Sequence, residues 1–492
     1  MLVYLAALLA LAWALARRQR TGADYFLAGR GMSATPLAAS ILANQASAVS
    51  LIGAPAFVAL REGGGLRWLQ YELALPLAML LLIAFLLPAL RSVPGSSIYE
   101  WVERRFGRAT RRAVAGAFLL SRGLALGVIL YASSLVVTAA TGLGPVASLL
   151  AVGFFSVAYT SLGGIVADIW SDVLQLALLW AGTIAGAVFL LARPGVVAAI
   201  PRERLQALDL GGGAAGETFT LAPMLIGGLF LYLSYYGCDQ SQAQRLLTAR
   251  DDGAARRALV LNGLLRFPLV LTYCGFGLLL AGLLATDPAF AERLAGRPPD
   301  ALVPTFVVSY LPVGLRGLMV AGILAAAMSS IDSALNSLAA VTLEDVLGRD
   351  SAAQSVWVGR SVSLAWGVFA LLAGLACARS GTGVLELVNL VGSVFYGPLL
   401  GVFTLGVAAR GVAGRHALAA LAAGIGTNVA LAFAVPELPW LWWNPAGWLA
   451  TVGAGLLLAR AAPRLPPPAA RRREAVLLLG GFAIMLGFLA LL

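Results

Sequence analysis

The sequence has few of the residues that disulfides, metal sites and hydrolytic active sites require. Its three cysteines, Cys238, Cys274 and Cys377, lie in or beside apolar segments without a CxxC spacing, so they support neither a disulfide framework nor a zinc site. The one histidine, His416, belongs to no HExxH motif, and no GxSxG motif occurs. These absences argue against an enzyme.

Charged residues are also scarce. Only 12% of the 492 residues are charged, whereas 60% are hydrophobic and 56 are glycine, a composition typical of polytopic membrane proteins. The 34 basic residues are all arginine, and they lie in short clusters between apolar runs without an aromatic-flanked basic surface. We therefore expect a protein of the lipid bilayer with no nucleic-acid partner and no evident obligate protein partner.

Long apolar runs predict an all-α polytopic protein with one transmembrane domain over 1–492. About fourteen runs are long enough to cross a bilayer, at roughly 17–25 residues each. They lie at about 2–17, 36–60, 68–90, 113–138, 142–160, 170–192, 221–237, 257–285, 313–343, 355–377, 385–409, 415–434, 445–460 and 474–492. No channel filter or ring of charges is evident among them.

Arginines are concentrated in alternate loops between these runs. Two of the arginine-rich loops hold Arg104, Arg105, Arg108, Arg111 and Arg112, and then Arg245, Arg250, Arg256 and Arg257. By the positive-inside rule these loops are cytoplasmic. We therefore expect a multi-pass protein of the plasma (inner) membrane with both termini outside.

Two of the apolar runs are interrupted by polar and small residues. The run 36–60 contains ANQASAVS at 43–50, and the run 221–237 leads into LYLSYYGCDQ at 231–240. A helix that breaks inside a membrane frees backbone groups, which are tolerated only where they line a cavity or bind something. Corresponding breaks in two halves are typical of inverted-repeat transporters, although small residues could also serve close helix packing.

Several motifs together resemble, in order and spacing, the sodium/solute symporter family. They are 24-DYFLAGRGM-32, 47-SAVSLIG-53, 159-YTSLGGIVADIWSDVLQ-175, 237-GCDQSQAQR-245, 328-MSSIDSALNS-337 and 397-GPLLGVFTLG-406. The resemblance implies a LeuT-type fold with five plus five helices in inverted repeats at 36–192 and 221–409. One extra helix at 1–20 and about three at 415–492 would flank this core. It also implies sodium-coupled import of a small solute by alternating access.

The resemblance further implies a sodium site built from both halves of the core. The implied ligands are the carbonyls of Ala43, Ala46 and Ala326 and the hydroxyls of Ser329 and Ser330. Sodium is a hard cation that takes oxygen ligands, and this set supplies only oxygens. Back-bonding of the two serines to their own helix is the alternative interpretation.

Two aspartates point to a further cation, although the sequence departs from the family pattern here. Asp172 and Ser333 match residues of a second sodium site in some members, while Asp332 stands where those members have a hydroxyl. An ionisable group inside a bilayer is a functional candidate by default. The alternatives are solvation at a helix end, pairing with a loop arginine, and proton coupling through Asp172 and Asp332.

Two arginines well inside apolar runs indicate the class of solute. Arg122 and Arg266 each lie roughly 14–15 Å from a cytoplasmic end by helical rise, near the midplane. A guanidinium there stays charged and needs a partner, and Glu72 is the one nearby acid that the sequence suggests. Surplus positive charge favours a carboxylate-bearing solute, with a neutral sugar or polyol as the alternative. The expected contacts are Gln45, Tyr71, Glu72, Arg122, Tyr232, Tyr235 and Arg266.

Overall fold

The computed structural model describes residues 22–46, 48–211, 217–349, 355–378 and 384–492, with a few positions between 6 and 14. These residues form helices and connections without a β-strand, apart from an isolated bridge between Met32 and Ala249. The predicted all-α class is confirmed. The first predicted run, 2–17, lies almost wholly outside the described residues.

The helices follow the apolar runs. In chain order they are α1 (Ala34–Gln45), α2 (Ala48–Leu60), α3 (Gly65–Arg91), α4 (Arg108–Thr141), α5 (Pro145–Leu191), α6 (Gly228–Gly237), α7 (Gln240–Thr248), α8 (Asp252–Thr286), α9 (Val313–Val341), α10 (Val356–Cys377), α11 (Val384–Ala408), α12 (Gly414–Ala434), α13 (Trp443–Ala459) and α14 (Arg472–Leu491). A short helix, Gly22–Leu27, precedes α1, and the short helices Tyr99–Phe106, Pro288–Leu294 and Leu302–Tyr310 lie between the longer ones. Within the described ranges, 9 helices are long and apolar enough to span a membrane, or 10 if α1 and α2 form one bent span.

Both interrupted runs break in the structure. Helices α1 and α2 meet at an angle of 56°, and Ala46 at the end of α1 has non-helical φ and ψ of −80° and 64°. Helix α6 ends at Gly237, and α7 begins after Asp239, whose carboxylate accepts a hydrogen bond from the Ser241 amide. An aspartate in this N-cap position satisfies a helix donor that would otherwise lack a partner. Each break therefore lies where the polar residues interrupt the hydrophobic pattern.

The runs 142–160 and 170–192 differ from the expectation because no loop separates them. They form two helical limbs, together called α5, which meet directly at Gly164, where the backbone is non-helical with φ of 56° and ψ of −174°. An L-residue rarely adopts this conformation, so the glycine makes the turn by itself. The second limb of α5 starts at the bend and carries Asp168 and Asp172 towards α9.

Helix α9 is the most buried of the described spans. Its small residues over 321–337 allow neighbouring helices to approach closely, as in other membrane bundles. In its most apolar stretch 94% of the residues are buried, compared with 33% for the second limb of α5. The serines and Asp332 of this helix therefore face protein rather than lipid.

Candidate functional site

A cavity of about 120 Å³ lies beside the break between α1 and α2. All seven residues expected to contact solute line it: Gln45, Tyr71, Glu72, Arg122, Tyr232, Tyr235 and Arg266. Sequence reasoning missed other lining residues, among them Asn44, Trp68, Tyr273, Ser330 and Tyr396. Their proximity arises from five or more helices packing together, which the linear sequence does not reveal. The contact of these residues with solute stays a prediction.

One of the two cavity arginines is neutralised by a carboxylate. The Nε atom of Arg266 lies 3.4 Å from Oε2 of Glu72, and their side chains are only 7% and 1% exposed. Opposite charges this deeply buried stabilise each other, whereas either alone would carry a large desolvation cost. The ring of Tyr232 packs against Tyr71 next to this pair, with centroids 4.9 Å apart.

The second cavity arginine has a different environment. The Arg122 guanidinium lies 5.9 Å from the ring centroid of Tyr235, and the residue is 5% exposed. Its Nε and Nη2 atoms have no hydrogen-bond partner among the described residues. Asp239 lies within electrostatic range, but none of the ion pairs found in the described ranges joins it to Arg122. A buried cation with free donors at a cavity wall is suited to an anionic ligand.

The residues implied as sodium ligands also come together. Ala43 and Ala46 of α1, Ala326 and Ser329 of α9, and part of α5 line one narrow gap next to the cavity. Ser330 lies on the cavity side of this contact, where its hydroxyl donates to the Asn44 carbonyl at 2.8 Å. The gap and the cavity therefore share the end of α1 as a common wall.

The donor atoms at this gap suit a hard cation. Because α1 ends at Gln45, the carbonyls of its last turn lie beyond the regular helical ladder. The Ser329 hydroxyl donates to Oδ1 of Asp172, and the Ser330 hydroxyl donates to the Asn44 carbonyl, which leaves the lone pairs of both oxygens for a cation. Uncharged oxygens of this kind form weak and reversible sites. The ligand assignment stays a prediction.

The residues considered for a second sodium lie around a buried arginine. The Arg245 Nη2 atom donates to Oδ2 of Asp172 at 2.8 Å and to Oδ2 of Asp168 at 3.1 Å, and it also donates to the Ser333 hydroxyl. Asp332, 1% exposed, lies near Tyr25, as does Arg360. Asp172 thus forms an ion pair with Arg245 that the sequence analysis did not foresee.

The assignment of Arg245 to a loop was wrong, because it lies within helix α7 and is only 1% exposed, whereas the cytoplasmic side of this segment stays a prediction. The positive-inside rule counts arginines near span ends and cannot detect one that folds back onto buried carboxylates. A signal was present in Asp168, which precedes Asp172 by four residues and so shares its helix face. Two carboxylates on one buried face predict a cationic partner.

Comparison with known proteins identifies the family. The model of the sodium:solute symporter family matches residues 25–424. The chain belongs to the sodium:solute symporter family. Its members are transporters rather than enzymes, and the chain is a multi-pass membrane protein.

Among named relatives of this symporter, the human sodium/iodide cotransporter is 30% identical over 434 residues, which cover 86% of the chain and 66% of that protein. A putative sodium-dependent multivitamin transporter of Drosophila melanogaster is 34% identical over 415 residues, which cover 79% of the chain and 66% of that protein. Human sodium-coupled monocarboxylate transporter 1 is 29% identical over 425 residues, which cover 84% of the chain and 68% of that protein. The symporter chain thus spans about two thirds of the length of these relatives.

A solved structure confirms the fold class. A substrate-bound, outward-open Na⁺-coupled sialic acid symporter superimposes with a TM-score of 0.81 at 24% identity, covering 95% of this chain and 97% of that one. The likeness shows the LeuT-type fold that the motifs implied. The division into repeats at 36–192 and 221–409, with extra helices at 1–20 and 415–492, stays a prediction.

Proposed function

We propose that this symporter uses a sodium gradient to import a small carboxylate-bearing organic solute by alternating access. The observation that carries the proposal is the contrast between the two cavity arginines. Glu72 neutralises Arg266 across 3.4 Å, whereas none of the ion pairs found in the described ranges joins Arg122 to a carboxylate, although each arginine has two buried nitrogens without a hydrogen-bond partner there. A guanidinium binds a carboxylate with two parallel hydrogen bonds, so Arg122 would hold the acid group of the solute.

The shared wall between the gap and the cavity suggests how sodium would promote solute binding. A sodium ion held by Ala43, Ala46, Ala326, Ser329 and Ser330 would fix the end of α1 against α9. Asn44 and Gln45, which line the cavity, would then be held in place for the solute. Sodium would thereby reduce the ordering cost of solute binding, which is a form of positive cooperativity. When sodium dissociates into the cytoplasm, the end of α1 would no longer be fixed against α9, and the solute would be bound less tightly and could leave.

Aromatic residues on the cavity wall favour a second candidate, a neutral sugar or polyol. Tyr71 and Tyr232 pack at 4.9 Å, and Trp68 lies 5.6 Å from Tyr71 between ring centroids. Such surfaces could pack against the faces of a sugar ring. The Glu72–Arg266 pair could exchange hydrogen bonds with its hydroxyl groups.

Proton coupling through Asp172 and Asp332 is less well supported than sodium coupling. Oδ2 of Asp172 accepts hydrogen bonds from Arg245 and Ser40, and Oδ1 accepts one from Ser329. These contacts suit an ionised carboxylate rather than one that gains and loses a proton in each cycle. We also propose the plasma (inner) membrane as the location, with both termini outside.

A thermal-shift panel on the purified protein tests the solute class. Short monocarboxylates, acidic sugars, amino acids, neutral hexoses and polyols are compared with and without sodium. We expect a carboxylate to raise the unfolding temperature in sodium, and Arg122→Gln to weaken its binding by roughly tenfold or more, since a charged hydrogen bond contributes about 1.5–3 kcal/mol. Arg193→Gln is the matched control, because Arg193 does not line the cavity. Its guanidinium packs on the ring of Phe189, 5.1 Å from the ring centroid. Stabilisation by hexoses or polyols alone contradicts the carboxylate proposal.

A further inference from the structure

We infer that the solute of this symporter is a small hydroxy acid, a class that deepens the proposed carboxylate transport and rests on it. Arg122 holds the acid group, and a second polar part of the cavity wall, around the Glu72–Arg266 pair, recognises the hydroxyl group. This gives a role in solute selection to Asn44 and Tyr273, which the sequence analysis did not single out.

The two cavity arginines lie in different surroundings. The groups that act most strongly on the charge of Arg122 are one carboxylate and two phenols, those of Asp239, Tyr235 and Tyr396. The groups around Arg266 are likewise one carboxylate and several phenols, those of Glu72, Tyr232, Tyr236 and Tyr273. Because the two sets share no residue, the arginines mark two separate parts of the wall.

Three uncharged side chains of the cavity have polar atoms without a partner. Both amide atoms of Asn44 and the hydroxyls of Tyr71 and Tyr273 are buried and form no hydrogen bond with any described residue. The three residues are 2%, 5% and 0% exposed, and all of them line the cavity. The two tyrosines lie within electrostatic range of the Glu72–Arg266 pair. Buried polar groups normally have partners, so these side chains indicate a polar group on the ligand.

The Glu72–Arg266 pair adds both donors and acceptors to this part of the wall. Although the two charges pair across 3.4 Å, both Glu72 oxygens and the Nε and Nη1 atoms of Arg266 lack a hydrogen-bond partner in the described part of the chain. A hydroxyl group both donates and accepts, whereas an ammonium group only donates and a carbonyl only accepts. An ammonium group would also bring a positive charge close to Arg266. A hydroxyl group therefore matches this surface best.

The volume of the cavity limits the size of the acid. An engineered protein cavity of about 150 Å³ binds one benzene molecule. The cavity of about 120 Å³ in this symporter therefore suits a solute of about six or seven non-hydrogen atoms, which is the size of a hydroxybutyrate.

A size-matched series of acids tests the inference, namely butyrate, its 2-, 3- and 4-hydroxy derivatives, and 2-aminobutyrate. Their affinities are measured by thermal shift on the purified protein in sodium. We expect at least one hydroxybutyrate to bind roughly 10–100-fold more tightly than butyrate and 2-aminobutyrate, because those two leave buried polar groups without a partner.

The outcomes separate this inference from the proposed function. A preference below about tenfold over butyrate or over 2-aminobutyrate would overturn the inference and leave carboxylate transport intact. Failure of the whole series to bind would also overturn it. Stabilisation by neutral hexoses or polyols alone would overturn the carboxylate proposal as well.

Tyrosine variants test where the hydroxyl group is recognised. Tyr71→Phe and Tyr273→Phe remove a hydroxyl and keep the ring, so together they should lower the preference for hydroxybutyrate over butyrate by about tenfold, while the affinity for butyrate holds or rises. A purely structural role would weaken both acids alike. Tyr310→Phe is the matched control, because Tyr310 does not line the cavity and its hydroxyl donates to Asp287. An unchanged preference in the double variant, or in both single variants if the double one does not fold, would overturn the assignment.

Discussion

The Ser330 hydroxyl donates a hydrogen bond to the Asn44 carbonyl across 2.8 Å, which ties the central helix α9 to the broken end of α1. Both residues line the cavity that we propose for the solute, and their neighbours Ala43 and Ser329 line the gap implied for sodium. Sodium bound in the gap, as we propose, would therefore act on the cavity through adjacent backbone.

The first prediction concerns the serines of α9. Ser329→Ala and Ser330→Ala should each raise the sodium concentration for half-maximal uptake by about tenfold, because each removes an oxygen that favours the bound cation. Ser337→Ala is the matched control, since its hydroxyl donates only to the Ser333 and Ala334 carbonyls of the same helix. Sodium titration of uptake checks this. An unchanged sodium dependence in the double variant would exclude the assignment.

The second prediction concerns the ion pair in the cavity. Glu72→Gln leaves the Arg266 charge buried without its partner, and we expect a loss of stability of about 3–5 kcal/mol. The double change with Arg266→Gln should recover much of that loss, because neither charge then remains. Chemical unfolding in detergent measures both variants. If the double variant loses as much stability as Glu72→Gln and Arg266→Gln lose separately when their losses are added, the residues do not act as a pair.

The third prediction concerns the proline inside α11, which lies two residues after the cavity-lining Tyr396. Pro398 has no N–H, so the Val394 carbonyl loses its helical donor, and Asn428 Nδ2 donates to it at 3.1 Å. Asn428→Ala should leave this carbonyl unsatisfied, lower the unfolding temperature and raise the KM for solute.

A second substitution, at Pro398 itself, provides a test of that cause. Pro398→Ala restores a backbone donor for Val394, so the double variant should unfold at a higher temperature than Asn428→Ala alone. Asn428 also donates to the Ser393 carbonyl at 3.0 Å, so recovery should be partial. A double variant less stable than either single change would contradict this explanation.

The fourth prediction concerns pH and the loop between α8 and α9. The Tyr310 hydroxyl donates to Asp287 at 2.7 Å and, with the Phe290 and Ala289 amides, lowers the pKa of that carboxylate. A carboxylate with a depressed pKa stabilises the fold above its unfolded pKa, and the stabilisation is lost as pH falls through the folded value. The unfolding temperature should therefore decline below about pH 4. Tyr310→Phe should make this decline shallower, and an identical pH profile would exclude the contribution.

The sequence was sufficient to predict the features that depend on local pattern. Apolar runs marked the helices, and the polar stretch 43–50 marked the break after α1. Arg122 and Arg266 were placed deep in the membrane from helical rise alone, and both line the cavity. Local patterns carry this information because the bilayer fixes the length and polarity of each span.

Long-range partners could not be predicted in the same way. Arg245 looked like a loop arginine because its carboxylates lie more than seventy residues away, at 77 and 73 positions along the chain. Gly164 gave no sign that it would join two runs without a loop. The role of Asn428 depends on a proline in another helix, and only the packed bundle brings the two together.

Solute uptake into proteoliposomes tests the central claim most directly. Labelled short monocarboxylates, acidic sugars and amino acids, with a neutral hexose for comparison, are offered under an inward sodium gradient or an equal choline gradient. We predict that a carboxylate-bearing solute accumulates above its external concentration only with sodium, and that Arg122→Gln abolishes this accumulation while Arg193→Gln preserves it. Accumulation of the hexose alone, or equal uptake in choline, would contradict the account.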